Sequence, residues 1–239
     1  MLKKLTVFCL LILVLATPFA AWAQEDTEWA EFTNSAGTLT FSYPADWVVF
    51  EEEDSSVGIT IATSQEALDI LNESEDAPVF PAGEFAIGLL FPTADDLTSI
   101  ASDLDPASEN YYADLVETLA LLFAAGMVDA DAAVEPVTTP EPLAEPLVVE
   151  PSEEFPYTYT AAEIESQYTI VSAESEFTVY GYDTELEAQD FSVLVYEAGE
   201  EVVGVALLIG SSEATEADLA NSVKVLQILE SVEYTPPAE

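Results

Sequence analysis

The sequence of 239 residues contains no histidine, no arginine and a single cysteine, and it has three lysines against 47 aspartates and glutamates. A chain without histidine and arginine cannot build a Ser-His-Asp triad, a Cys-His pair, a histidine-ligated zinc site or a guanidinium clamp for phosphate. Nucleic acids and anionic membrane surfaces are excluded as direct ligands, because basic side chains supply most of the affinity for both. We therefore expect a protein that is not an enzyme and that has no resident cofactor.

The N-terminal residues have the features of a cleaved signal peptide. Lys3 and Lys4 form a basic start, residues 7–15 are an uninterrupted apolar run, and Ala21 and Ala23 are small residues at the positions that signal peptidase reads. The apolar run is much shorter than the roughly 20 residues that span a bilayer. We predict a signal peptide over residues 1–23, with a retained membrane anchor as the alternative.

Removal of this segment would leave a chain of extreme acidity. Residues 24–239 contain one base, Lys224, and all 47 acids, which gives a net charge of −46. Cys9 is lost with the signal, so no disulfide, thiol nucleophile or sulfur metal ligand remains. Because a large charge of one sign keeps a chain soluble and monomeric, we expect a monomer, secreted or associated with the cell envelope, with one domain over residues 24–239.

The first half of this domain has a strand-rich pattern. Alternating apolar and polar residues predict a strand that ends at Pro44, and further strands are predicted over residues 47–49, 58–63 and 84–91. Pro44 suits a strand end because its nitrogen cannot donate to a sheet ladder. We interpret residues 43–47 as a strand-turn-strand corner that buries its tyrosine and tryptophan.

Helix starts are indicated by hydroxyl residues that are followed three positions later by an acidic residue. This capping-box spacing occurs at Thr63, Thr93 and Thr215. Asp105 before Pro106 predicts another start, with a helix over residues 106–125 that stops at Gly126.

Residues 134–156 interleave six prolines with glutamates, which excludes a helix or an interior strand. We predict an extended, solvated Pro/Glu-rich insert, and docking of this insert into an aromatic groove of another protein is the alternative.

The last part of the chain predicts a three-stranded antiparallel unit and a helix. Residues 176–183, 190–197 and 201–210 have strand patterns, with the tightest turn at Ala198-Gly199. The third strand is apolar on both faces, so it should be central and covered on both sides. The helix that follows carries an apolar stripe, and Lys224 on it should pair with Asp218 or a nearby acid.

Three stretches together resemble the PsbP-like superfamily, as found in small exported bacterial proteins. They are FTNSAGTLTFSYPADWVV over residues 32–49, ATSQEALD over residues 62–69 and VLQILESVEY over residues 225–234. The resemblance implies an α+β fold, an α/β/α sandwich whose central antiparallel sheet is covered by helices, and a non-enzymatic accessory or binding role. It brings no catalytic residues, and the metal-binding histidines of the superfamily's plant member have no counterpart in a chain without histidine.

Four consecutive acids, Glu51, Glu52, Glu53 and Asp54, are the candidate metal ligands. Hard cations such as calcium take carboxylate oxygens, although the EF-hand spacing is absent and a solvated strand end explains the same run. Three functions therefore stay open. The first is an exported binding domain whose partner is another protein or a component of the envelope surface. Calcium binding outside the cell is the second, and hydrolysis by a carboxylate pair in a cleft is the third.

Overall fold

A computed structural model gives the fold for most of the chain beyond the predicted signal peptide. The structure describes residues 27–51, 58–73, 78–127, 146–162, 166–186, 189–199, 202–211 and 218–236. Within these ranges the protein is an α+β structure with four helices and two antiparallel sheets, which confirms the predicted fold class. The predicted signal peptide, the first part of the Pro/Glu-rich insert up to residue 145 and the cap at Thr215 lie outside them.

Twelve strands are formed by the described residues. In chain order they are β1 (Trp29–Thr33), β2 (Leu39–Pro44), β3 (Val48–Glu51), β4 (Gly58–Ala62), β5 (Phe85–Leu90), β6 (Val148–Val149), β7 (Tyr157–Ala161), β8 (Gln167–Ser172), β9 (Thr178–Leu186), β10 (Gln189–Glu197), β11 (Val203–Ser211) and β12 (Glu233–Tyr234). The large sheet has the order β3-β4-β5-β11-β10-β9-β8-β7-β6, and the small sheet has the order β1-β2-β12. Strand β11 is therefore central, as its two-sided apolar pattern predicts.

Helices cover both faces of the large sheet. The helices are α1 (Gln65–Glu73), α2 (Ala94–Ile100), α3 (Tyr111–Met127) and α4 (Asp218–Glu230). Apolar side chains of α1, α2 and α3 share one core with one face of the sheet, whereas α4 and strand β2 share a second core with the opposite face. Each helix thus buries an apolar stripe against the sheet, which is what stabilises a helix in a layered domain. No helix in the described part of the chain is long and apolar enough to cross a membrane.

The corner at residues 43–47 carries the chain from the small sheet to the large one. The amide of Trp47 donates to the carbonyl of Pro44 at 2.9 Å, which closes the turn. Trp47 is only 6% exposed and packs edge-on against Phe85, with 5.3 Å between ring centroids, while Tyr43 packs on Phe41. The two corner aromatics therefore contact different rings, one in each sheet.

Lys224 on α4 contacts this corner. Its ammonium nitrogen lies 5.8 Å from the ring centroid of Trp47, a cation-π distance. The base that we expected to pair with an acid therefore lies over an aromatic face.

Two predicted helix starts are wrong because other hydrogen bonds use the residues involved. The cap of α1 is Ser64, whose hydroxyl accepts from the amide of Ala67 at 3.1 Å, whereas the Thr63 hydroxyl bonds to Glu84 and to the backbone of β5. Asp105 accepts from the amide of Ala107 at 3.0 Å in a local turn, and α3 begins only at Tyr111 and continues through Gly126.

One predicted helix cap is confirmed, and part of the predicted insert forms a short strand. Thr93 caps α2 as predicted, with both bonds of the capping box present to Asp96. The last part of the Pro/Glu-rich segment forms β6, a two-residue strand at the edge of the sheet, which is where a proline-flanked strand can exist. Strands β7 and β8 were not predicted.

Candidate binding groove and carboxylate clusters

A groove of about 470 Å³ opens at the end of the large sheet where β9 begins and β10 ends. Aromatic side chains of Tyr112, Phe177 and Tyr180 line it, together with the exposed acids Glu176 and Glu197. These five residues define what we call the aromatic groove. Its residues come from three separate stretches of chain, which are the first turn of α3, the start of β9 and the end of β10.

Ring packing fixes the walls of the aromatic groove. The rings of Tyr112 and Tyr180 stack at 5.4 Å with an interplanar angle of 15°, and Tyr111 packs edge-on against Tyr112 at 5.5 Å. On the other side, Phe177 packs edge-on against the buried ring of Tyr196 at 6.1 Å. Aromatic pairs in these geometries add stability beyond the area they bury, so the groove has walls that exist without a ligand.

The electrostatics of the aromatic groove are set by a tyrosine hydroxyl beside carboxylates. Burial raises the pKa of Tyr112, and the negative charge of Glu197 raises it further. The phenol of Tyr112 therefore stays protonated at neutral pH and keeps its aromatic face electron-rich. No basic residue lines the groove in the described part of the chain, so its potential is negative.

A second polar cluster lies on the sheet face that α4 and the small sheet cover. The hydroxyls of Tyr168 and Ser192 both donate to Oδ1 of Asp183, at 3.0 and 2.7 Å. Burial raises the pKa of Asp183 to about 6; the two hydroxyl bonds lower it, and the charge of Asp190 raises it. Asp183 is thus a partly buried carboxyl group held by hydroxyls from strands β8 and β10, and it does not line the aromatic groove.

Strand geometry explains how Tyr168 reaches Asp183. Tyr168 on β8 is directly opposite Gly181 on β9, and a Cβ at Gly181 would lie 2.1 Å from Cε2 of the tyrosine ring. The missing side chain therefore lets the ring lie across the neighbouring strand, with its hydroxyl at the carboxylate two residues further on.

Glu230 at the end of α4 is held in the same way. Its carboxylate accepts from the hydroxyls of Tyr157 and Ser172, both at 3.2 Å, and from Ser175 at 2.5 Å. Burial raises the pKa of Tyr157, and the charge of Glu230 raises it further. These bonds tie the last turn of α4 to strands β7 and β8.

The predicted metal ligands do not form a described site. Glu51 ends the edge strand β3, and its carboxylate accepts from the backbone amide and the hydroxyl of Ser35, at 3.0 and 2.7 Å. Its role in the structure is thus to hold the turn between β1 and β2. Glu52, Glu53 and Asp54 lie outside the described residues. Among the residues that the structure describes, no group of three or more acids is arranged to hold a metal ion.

Sequence reasoning missed the aromatic groove. The adjacent tyrosines at 111 and 112 and the three aromatic residues at 177, 180 and 182 were visible as patterns. Each pattern by itself is typical of a core helix or a core strand, and nothing local indicates that the two segments meet.

Comparisons with known proteins support no family assignment, since no family model and no curated protein matches the chain. Three of the solved structures that are similar to it illustrate the likeness. The solution structure of cyanobacterial PsbP from Synechocystis sp. PCC 6803 is 11% identical, has a TM-score of 0.38 and covers 91% of this chain and 99% of its own. The Ran-binding protein Mog1p of Saccharomyces cerevisiae is 9% identical, with a TM-score of 0.42 and coverage of 87% and 96%. A protein of Bacteroides thetaiotaomicron is 10% identical, with a TM-score of 0.31 and coverage of 87% and 49%.

Proposed function

We propose that this protein is an exported, non-enzymatic binding domain of the PsbP-like superfamily whose partner, a protein or an envelope-surface component, docks in the aromatic groove. The observation that carries the proposal is the groove itself, with three aromatic side chains and two carboxylates around a concavity of about 470 Å³. Binding sites are typically concave, with aromatic walls and a few polar groups that fix orientation. The superfamily assignment rests on the sequence motifs quoted above.

The positions of the acidic side chains support a non-enzymatic role. Hydrolysis by carboxylates needs two acids in one cleft, one of them with a raised pKa. Asp183 has the raised pKa but does not line the aromatic groove, and its oxygen Oδ1 is occupied by two hydroxyls. The groove has surfaces for binding, the sequence contains no histidine or arginine, and its single cysteine, Cys9, lies in the predicted signal peptide.

Site-specific photo-crosslinking in the producing organism tests the binding role. A benzophenone amino acid replaces Thr178, which lines the groove, and in a second strain it replaces Val79, which is 68% exposed elsewhere. We expect one crosslinked species of defined mass from position 178 and none of that mass from position 79. The full chain is used, so the same cells show by N-terminal sequencing whether the exported protein begins at Gln24.

A substitution in the groove makes this test specific. Tyr112→Leu removes one aromatic wall without changing the charge, and Tyr43→Leu is a matched control in the small sheet, away from the groove. The crosslinked species from position 178 should weaken in the first variant and persist in the second. Equal crosslinking from positions 79 and 178, or a species indifferent to Tyr112→Leu, contradicts the proposal.

A further inference from the structure

We propose that the group bound in the aromatic groove is a cationic side chain, lysine or arginine, presented by a segment of a partner protein. This inference rests on the proposed function, because it names the chemistry of the ligand for the same groove. The observation behind it is that aromatic faces and acidic side chains line the same groove. A cation can interact with both, whereas an anionic or an apolar ligand cannot.

The aromatic faces suit a cation. Tyrosine rings attract an ammonium or guanidinium group within about 6 Å of the ring centroid through the negative face of the ring. Tyr112 and Tyr180 contribute such rings from different elements, and because Tyr111 packs edge-on against Tyr112, the wall is already assembled. A ligand would therefore not have to order these side chains on binding.

The acids have the matching sign and position. Glu176 precedes β9 and Glu197 ends β10, and both are exposed at the groove that the tyrosines line. An anionic ligand would meet two like charges and a chain of net charge −44. A neutral ligand would leave both carboxylates without a partner, whereas a cation could contact a ring and a carboxylate together.

The protein already uses this contact elsewhere. Lys224 lies with its ammonium nitrogen 5.8 Å from the ring centroid of Trp47. It is the only base outside the predicted signal peptide over residues 1–23, so after removal of that segment any further cationic side chain in such a contact comes from another molecule.

Titration of the full chain with short peptides, followed by NMR, tests the inference. The probes are capped Gly-Lys-Gly and its neutral analogue Gly-Gln-Gly, at an ionic strength of about 0.15 M, where the Debye length of about 8 Å screens the remote surface acids. We expect the lysine peptide to shift the resonances of Tyr112, Tyr180 and their neighbours along a saturating curve, and the glutamine peptide to leave them in place.

Two variants separate a site from general attraction to an acidic surface. Glu197→Gln should lower the affinity for the lysine peptide by about fivefold, as expected for one exposed contact. Glu73→Gln makes an equal charge change at an exposed position on α1 and should leave this affinity unchanged. Tyr112→Leu should weaken binding at constant charge.

Each other outcome overturns the inference in a distinguishable way. Equal binding of both peptides would leave a groove site that is not specific for cations, and the photo-crosslink from position 178 would still appear. If Glu197→Gln and Glu73→Gln lower the affinity for the lysine peptide equally, the peptide binds through general attraction to the acidic surface and not at the groove. If neither peptide shifts the groove resonances although the crosslink forms, the partner docks by another chemistry.

Discussion

Replacing Asp183 by asparagine should make the protein more stable at neutral pH. Both hydroxyl donors, Tyr168 and Ser192, bond to the same oxygen of Asp183, Oδ1. The amide oxygen of asparagine can take the place of Oδ1, so Asp183→Asn keeps both bonds and the side-chain volume. The substitution removes the charge, which the surroundings disfavour, and places an amide nitrogen at the position of Oδ2.

The magnitude follows from the pKa and the sign from proton linkage. The pKa of Asp183 is raised from 3.8 to about 6, which corresponds to ~3 kcal/mol of preference for the neutral form. Because the side chain is partly exposed, we discount this to ~1–2 kcal/mol. The folded state binds more protons than the unfolded state between pH 3.8 and about 6, so Asp183 lowers stability as the pH rises through this window.

Urea unfolding of both proteins at pH 4 and at pH 7.5, at one ionic strength, measures the effect. The two free energies of unfolding should be similar at pH 4, and Asp183→Asn should be the more stable at pH 7.5 by ~1–2 kcal/mol. Asp103→Asn makes the same charge change at an exposed position and should change the free energy of unfolding much less than Asp183→Asn does. The reasoning would be refuted if Asp183→Asn were less stable than the parent protein at pH 7.5. It would also be refuted if the variant were more stable by the same free energy at both pH values.

Three further predictions concern a buried tyrosine and the salt dependence of stability. Tyr196→Phe should leave the free energy of unfolding in urea unchanged or raise it by up to ~1 kcal/mol, because the buried hydroxyl has no partner among the described residues. Tyr157→Phe should lower the free energy of unfolding by ~1 kcal/mol, because it removes the bond to Glu230. If Tyr196→Phe loses as much as Tyr157→Phe, that hydroxyl is bonded. Gly204→Ala should destabilise by ~1–3 kcal/mol, since its Cβ would lie 2.4 Å from Cζ of Tyr196; an unchanged urea midpoint would show that the ring can move aside. The melting temperature should rise with NaCl, and 1 mM CaCl2 should add no more than NaCl of matched ionic strength; a larger, saturating calcium effect would indicate a specific site.

The sequence predicts the elements whose determinants are local. The cap at Thr93 is confirmed because its partner, Asp96, is only three residues away and forms both bonds of the capping box with it. The central position of β11 is confirmed because its apolar residues occupy both faces of the strand, a pattern that only two covering layers can satisfy.

Features that depend on distant residues could not be predicted. Thr63 has the spacing of a cap, but its hydroxyl is used by Glu84, and the neighbouring Ser64 caps the helix in its place. Strand β7 has tyrosines and threonines next to prolines, so its burial against α4 depends on a tertiary contact that no local pattern indicates.

The aromatic groove belongs to this second group. Tyr112 and Tyr180 are 68 positions apart in the sequence, and their stacking follows from α3 lying along β9. The pairing of a large ring with a facing glycine, Tyr168 with Gly181 and Tyr196 with Gly204, is likewise visible only once strand register is known. Sequence patterns give each strand its buried face, but register decides which side chain stands opposite which.

Carboxylates with hydroxyl partners connect the composition to the stability of the fold. Asp183, Glu230 and Glu51 all accept from serine or tyrosine hydroxyls, in a chain that has a single base outside residues 1–23. A hydroxyl satisfies a carboxylate oxygen without neutralising its charge, so the repulsion among the acids is left almost unopposed. In most proteins salt weakens attractive pairs as well as repulsive ones, and the two effects partly cancel. Here few attractive pairs exist to be weakened, so added salt acts almost entirely on the repulsion. We therefore expect the protein to be most stable in surroundings that supply the cations that its own sequence lacks.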